Sequence, residues 1–228
     1  MNITRIILIA AATISLGCSP AVERGISAYE SGDYKTALNL LQRSANQGDS
    51  RGQAYLGFMY RNGYGVDKDY EEALKWLRLS ADQGDSVAQS NIGVMYHNGY
   101  GVDKDYEEAL KWYRLSADQG DSRGQAYLGF MYRNGYGVDK DYEEALKWFR
   151  LSADQDNSGA QSNIGVMYHN GYGVDQDYEE ALKWFRLSAD QDHSGAQAWL
   201  GWMYQYSDGV DQDYEEALKW YRLSADQG

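Results

Sequence analysis

The sequence predicts an all-α protein, a right-handed α-solenoid built from stacked helix hairpins. Three observations carry that prediction. The segment Tyr-Glu-Glu-Ala-Leu-Lys-Trp begins at Tyr70, Tyr106, Tyr142, Tyr178 and Tyr214, at a constant spacing of 36 residues. Within each unit the apolar residues recur at three- and four-residue intervals, the period of an amphipathic helix. Proline is nearly absent, 1 in 228 residues, whereas 25 glycines punctuate the chain. One such hairpin cannot bury its own apolar face, so neighbouring units must stack.

Taken in chain order, residues 1–17 read as a signal peptide. Arg5 precedes an apolar run over 6–12 that resumes at Ile14 and Leu16, too short to span a bilayer comfortably. Residues 18–50 read as a linker and an N-terminal cap, in which Ser31-Gly32-Asp33 joins two helices directly. Five units follow at 51–86, 87–122, 123–158, 159–194 and 195–228. Residues 51–122 and 123–194 differ at 8 of 72 positions, so two units were copied together. A residue that recurs is therefore not functional merely because it recurs.

Unit 87–122 shows the local logic. Ala88, Ile92 and Tyr96 form one stripe of a first helix. Asn98-Gly99-Tyr100-Gly101 breaks it, with glycine free to take the positive φ of a tight turn. Asp105 is placed to cap the second helix, and Glu108 to complete a capping box. Ala109, Trp112, Tyr113, Ser116 and Ala117 make its buried face, and Glu107 is spaced to pair with Lys111 outside. Gln119-Gly120 supplies the left-handed end.

These residues also carry a resemblance. Ala-Gln-x-Asn-Ile-Gly-x-Met-Tyr, Asn-Gly-Tyr-Gly-Val and Asp-Tyr-x-x-Ala-x-x-Trp in 88–112 resemble the Sel-1-like repeat, a relative of the tetratricopeptide repeat with a longer hairpin loop. The likeness covers 51–228 and implies stacked helix hairpins that bind other proteins. Gly52 and Gly124 replace the usual opening alanine, and Ser207-Asp208-Gly209 replaces Gly-Tyr-Gly in the fifth unit, which puts that loop's conformation in question. The cap resembles a plain tetratricopeptide unit. Leu16-Gly17-Cys18-Ser19 resembles a bacterial lipoprotein signal, although Ser15 stands where leucine is usual. That resemblance implies lipid attachment at Cys18, and Ser19 after it implies the outer membrane. The alternative is ordinary cleavage near Cys18 or Pro20, leaving a soluble periplasmic or secreted protein.

Composition excludes several functions. A net charge of −13 disfavours nucleic acid, whose phosphates need a cationic surface. A mean hydropathy of −0.68 excludes a polytopic membrane protein. The single cysteine makes neither an internal disulfide nor a cysteine zinc cluster. His97 and His169 are duplicates two units apart and His193 falls in a turn, so no histidine set has metal-ligand spacing. Asp103–Glu108 has an acidic rhythm, but Glu108 stands where a calcium loop needs glycine. The expectation is a non-enzymatic chain without cofactor. The rival class is a secreted enzyme or glycan-binding module, β-lactam or peptidoglycan related, built on the same repeat; the lack of paired cysteines counts against it.

If tetratricopeptide geometry applies, first-helix residues at i, i+3, i+7 and i+10 line a concave groove. The candidate partner-binding positions are Arg51, Phe58, Arg61, His97, Arg123, Phe130, Arg133, His169 and Trp202. No acid occupies any of the inward positions of this register, in a chain with 34 Asp and Glu. The groove is expected to hold a protein or peptide segment with carboxylate groups, arginine forking onto the acid and aromatics supplying apolar area. The alternative is that the arginines pair with nearby glutamates and the aromatics pack between helices. The last second helix is followed by no polar cap, so Ala217, Tyr221 and Ala225 are expected to be partly exposed and to support self-association. The expected role is an interaction scaffold or adaptor on the periplasmic side of the cell envelope.

Overall fold

The computed structural model describes residues 20–227, so the signal segment and Cys18 lie outside the described residues. Among the described residues the chain forms twelve helices in six hairpins and no strand. The first hairpin is α1 (Pro20–Glu30) and α2 (Tyr34–Asn46), the second α3 (Ser50–Asn62) and α4 (Tyr70–Ala81), and the third α5 (Ser86–Asn98) and α6 (Tyr106–Asp118). The remaining three are α7 (Ser122–Asn134) with α8 (Tyr142–Ala153), α9 (Ser158–Asn170) with α10 (Tyr178–Ala189), and α11 (Ser194–Tyr206) with α12 (Tyr214–Ala225). Each second helix packs on the first helix of its own unit, and α2, α4, α6, α8 and α10 pack also on the first helix of the next.

The helix starts follow from their caps. Asp49, Asp85 and Asp121 each accept the backbone N–H three residues on, as Asn157 does in α9. His193 does the same for α11 through its Nδ1, 3.1 Å from the Ala196 nitrogen. The second helices begin at Asp69, Asp105, Asp141, Asp177 and Asp213 in the same way. Such a cap contributes about 1 kcal/mol against alanine. The fifth unit keeps the loop conformation of the others: Ser207 sits at φ 65°, the position Gly63 holds at φ 78°.

The capping box and the outer ion pair differ from expectation. Asp105 caps the helix, accepting Glu108 N–H at 2.9 Å, but the Asp105 N–H donates to the Tyr96 carbonyl at 3.0 Å rather than to the Glu108 carboxylate. That carboxylate accepts Trp112 Nε1–H at 3.0 Å and Lys111 Nζ at 2.9 Å, so lysine pairs with Glu108 rather than Glu107. The same arrangement recurs at Trp76, Trp148 and Trp184. An indole N–H half-sunk in the core needs an acceptor, and the glutamate one turn earlier is the nearest anion.

The core is a chain of small clusters rather than one centre. In the third hairpin Ala88, Ile92, Met95, Ala109 and Tyr113 are all at or below 1% exposure. Close approach of the two helices depends on Gly93: a Cβ there would lie 2.6 Å from the Tyr113 ring. Between units, tyrosines stack in pairs, Tyr34–Tyr64, Tyr70–Tyr100, Tyr106–Tyr136 and Tyr142–Tyr172, with centroids 4.7–4.9 Å apart. The fifth repeat unit has Asp208 in place of that tyrosine, and Asp208 Oδ2 instead meets His169 Nε2 at 3.0 Å. At the end of the array Ala217 is buried at 3% exposure, contrary to expectation, because α11 covers it. Tyr221 is half-buried and Ala225 exposed.

Candidate functional site

The first helices α3, α5, α7, α9 and α11 line one face, and three cavities lie along it. The first, ≈ 330 Å³, is walled by Arg51, Phe58 and Tyr55 of α3, Asn91 of α5, and Arg123. The second, ≈ 410 Å³, is walled by His97, Arg123, Tyr127, Phe130 and Asn163. The third, ≈ 580 Å³, is walled by His169, Ala198, Trp199, Trp202 and Tyr221. Seven of the nine candidate positions therefore border these cavities: Arg51, Phe58, His97, Arg123, Phe130, His169 and Trp202.

Arg61 and Arg133 have a different setting. Arg61 Nη1 donates to Asn91 Oδ1 at 2.7 Å, and its guanidinium lies 4.9 Å from the Phe58 ring centre. Arg133 likewise donates to Asn163 Oδ1 and lies over Phe130. Burial lowers the pKa of both guanidinium groups, which nevertheless stay charged. Each arginine joins its own first helix to the first helix of the next unit.

The cations that border the cavities are Arg51 and Arg123. Arg51 meets Glu23 of α1 at 2.7 Å. Arg123 approaches Asp121 only to 4.0 Å, and its side chain is 46% exposed. Asp85 also borders the first cavity, so this cavity carries an acid that the helix register did not include. Burial raises the Asp85 carboxyl, opposed by the N–H groups of Ala88 and Val87 that it caps.

The two groove histidines differ. His97 is ringed by Tyr106, Phe130 and Tyr136 within 6.0 Å. Burial holds its imidazole below the usual histidine range, so it is neutral near pH 7. Its buried Nε2 has no hydrogen-bond partner among the described residues, leaving one polar atom at the cavity wall. His169, by contrast, is held by Asp208. Among the described residues no group of three His, Cys, Asp or Glu could hold a metal ion. No described helix is long and apolar enough to cross a membrane.

A linear stack of two-helix units with ligand-sized cavities on its first-helix face defines the chain as an α-solenoid. The chain belongs to the Sel1 repeat family, whose repeat matches residues 11–49, 50–85, 86–121, 122–157, 158–193 and 194–228. It is similar to a Sel1 repeat protein from Oxalobacter formigenes, with 33% identity, a TM-score of 0.80, and 92% and 84% of the two chains covered. It is also similar to c5321, a protective antigen of uropathogenic Escherichia coli with an SLR fold, at 38% identity and a TM-score of 0.73. That match covers 91% of this chain but 45% of c5321. The immunity protein Pa5087 of Pseudomonas aeruginosa shares the fold at 18% identity and a TM-score of 0.67, with 92% and 84% of the two chains covered. No curated protein matches. Sel1 repeat proteins are generally protein-interaction scaffolds, and the fold is typically non-catalytic.

Proposed function

We propose that this chain is an adaptor of the bacterial cell envelope that holds an extended, acidic segment of a partner protein along its first-helix face. The observation that carries this reading is the second cavity, where exposed Arg123 stands beside Phe130 and Tyr127. Arg123 comes no closer than 4.0 Å to its ion-pair partner Asp121 and shares the first cavity with Asp85, so on the side of the second cavity its fork is open to an incoming acid, and the rings supply apolar area around it. The position in the cell follows the lipoprotein-like signal: attachment through Cys18 on the periplasmic side of the outer membrane.

Site-specific photocrosslinking in cells tests the adaptor reading. A benzophenone side chain at Tyr127 captures a discrete partner band, the same probe at exposed Leu115 on a second helix does not, and Arg123→Glu removes the band. Equal capture from both positions, or capture that ignores Arg123→Glu, refutes groove binding. Anchoring is tested separately by radiolabelled palmitate, which labels the native chain and not Cys18→Ser.

A further inference from the structure

The helices α6 and α12 carry the same residues, Tyr-Glu-Glu-Ala-Leu-Lys-Trp-Tyr-Arg-Leu-Ser-Ala, at 106–117 and 214–225. Their surroundings differ. On α6 lies α7, and Tyr113 and Ala117 are buried. Among the described residues nothing lies on the matching face of α12: Tyr214 is 65% and Leu218 49% exposed, Tyr221 is half-buried and Ala225 exposed. These residues follow one another at intervals of four, three and four, which sets them in one stripe along the helix. The polar half of the joint is open as well. Arg78, Arg114, Arg150 and Arg186 each donate to the hydroxyl of a tyrosine on the following first helix. Arg222, next in that series, is exposed, and no following first helix stands among the described residues to supply a hydroxyl.

The two ends of the stack narrow down what covers this face. Gly25 of α1 matches Gly57 of α3, since a Cβ at either would strike the equivalent leucine, Leu41 or Leu77. In that register Leu56 and Met59, fully buried in clusters with α2, correspond to Arg24 and Ser27 of α1, both exposed. A copy that offered α1 to α12 would set polar side chains against Leu218 and Tyr221, so copies do not continue the stack head to tail as a filament. The fifth repeat unit is also not made for another first helix of the usual kind. Where Arg61 and Arg133 reach Asn91 and Asn163 of the next unit, it has Gln205, whose Oε1 accepts the Tyr221 hydroxyl of its own hairpin at 2.9 Å.

We infer that the face takes a second copy of the same chain, tail to tail about a two-fold axis, with the two α12 helices antiparallel. The stripe is complementary to itself in that direction. Tyr214 meets Ala225 of the other copy and Leu218 meets Tyr221, so a ring faces a methyl group at either end and the bulk sits near the axis. Glu215 and Arg222, both exposed, stand one residue beyond Tyr214 and Tyr221 on the same flank. The antiparallel arrangement brings Glu215 of each copy beside Arg222 of the other, so the contact is made twice. Such an isologous pairing closes on itself and yields a dimer. Tyr221 also walls the third cavity, so the tryptophan end of each groove lies at the dimer joint. The pairing is independent of what the groove holds.

Sedimentation equilibrium of the full chain tests it, with Cys18→Ser removing disulfide and lipid as links between copies. The expected mass at micromolar concentration is twice the 25.8 kDa of one chain. Leu218→Glu returns the single-chain mass while the thermal melt keeps its cooperativity, because Leu218 is half-exposed in the isolated chain. Glu215→Arg or Arg222→Glu alone weakens the dimer by about 10-fold, since the axis repeats each contact, and the two changes together restore it. A single-chain mass throughout overturns the pairing and leaves the face to a foreign helix. Masses that climb beyond two copies overturn it too, as does a dimer indifferent to Leu218→Glu. A double exchange that fails to restore what the single changes removed refutes the antiparallel arrangement.

Discussion

Gly93→Ala tests the packing argument at one atom. A Cβ at this position would lie 2.6 Å from both Cδ1 and Cε1 of Tyr113, about 1 Å inside an ordinary contact. The ring has little room to give way, being 1% exposed and stacked on Tyr127 with centroids 4.8 Å apart. Over-packing of this kind costs ~1–3 kcal/mol, against ~1 kcal/mol gained from alanine's better helix propensity. Because the buried, stacked ring cannot yield, the clash falls in the upper part of that range, ~2–3 kcal/mol, which leaves a net loss of about 1–2 kcal/mol, or a melting temperature lower by ~2–8 °C for a chain of this size. Gly159→Ala is the control. Its Cβ would come no closer than 3.3 Å, to Asn157 Oδ1, and equivalent positions carry Arg51, Val87 and Arg123. That change should raise stability by about 0.5 kcal/mol. Thermal unfolding followed at 222 nm and by near-ultraviolet dichroism of the aromatics measures both. If Gly93→Ala melts at or above the parent temperature, close helix approach does not limit packing here and the reasoning is refuted.

Other outcomes follow from the same geometry. Arg61→Ala should cost ~1–2 kcal/mol by removing a charged bond to Asn91, whereas exposed Arg123→Ala should cost under ~0.5 kcal/mol; urea titration separates the structural arginine from the groove arginine. Burial lowers the pKa of His97 and His193, so the folded chain binds fewer protons than the unfolded one as pH falls through 6.5. Stability should therefore decline from about pH 6.5 downward, then level off below the depressed folded values, and His193→Asp should remove the share due to the cap; melts across pH 5–8 read this. Ser207→Gly should stabilise by ~0.5–1 kcal/mol, because φ of 65° strains serine and not glycine; no gain in the melt would show that the Ser207 bond to Val210 offsets the strain.

The fold was legible because its determinants are local. Period, caps and turn glycines lie within one unit, and Asp105, Ala109, Tyr113, Ser116 and Ala117 stand where the pattern places them, while Trp112, expected on the buried face, is only half-buried because its indole N–H reaches out to Glu108. The partner of Lys111 was less legible, since spacing allows either Glu107 or Glu108 and the choice falls to an indole N–H that holds Glu108. The site was legible in its register but not in its division of labour. Arg51 and Arg61 occupy like positions in the pattern, yet Arg61 ends a helix against Asn91 of the next unit. That encounter depends on how far one unit rotates past another, which no residue within a unit encodes. Asp85 escaped notice for a related reason: it belongs to a cap rather than to the inward face of a helix, and stacking brings it to the groove wall.

The principal helix contacts, including α1 with α3, α3 with α5 and α5 with α7, join neighbours or next neighbours along the chain. A gene of this kind can gain or lose 72 codons in frame without disturbing the remaining joints. The copy of 51–122 at 123–194 records one such event. A further event of that sort would alter the number of cavities along the first-helix face rather than remake them, so reach along a partner can evolve by recombination while the lining of each cavity drifts by substitution. An in-frame chain lacking 87–158 should thus fold with the same kind of joint at its new seam.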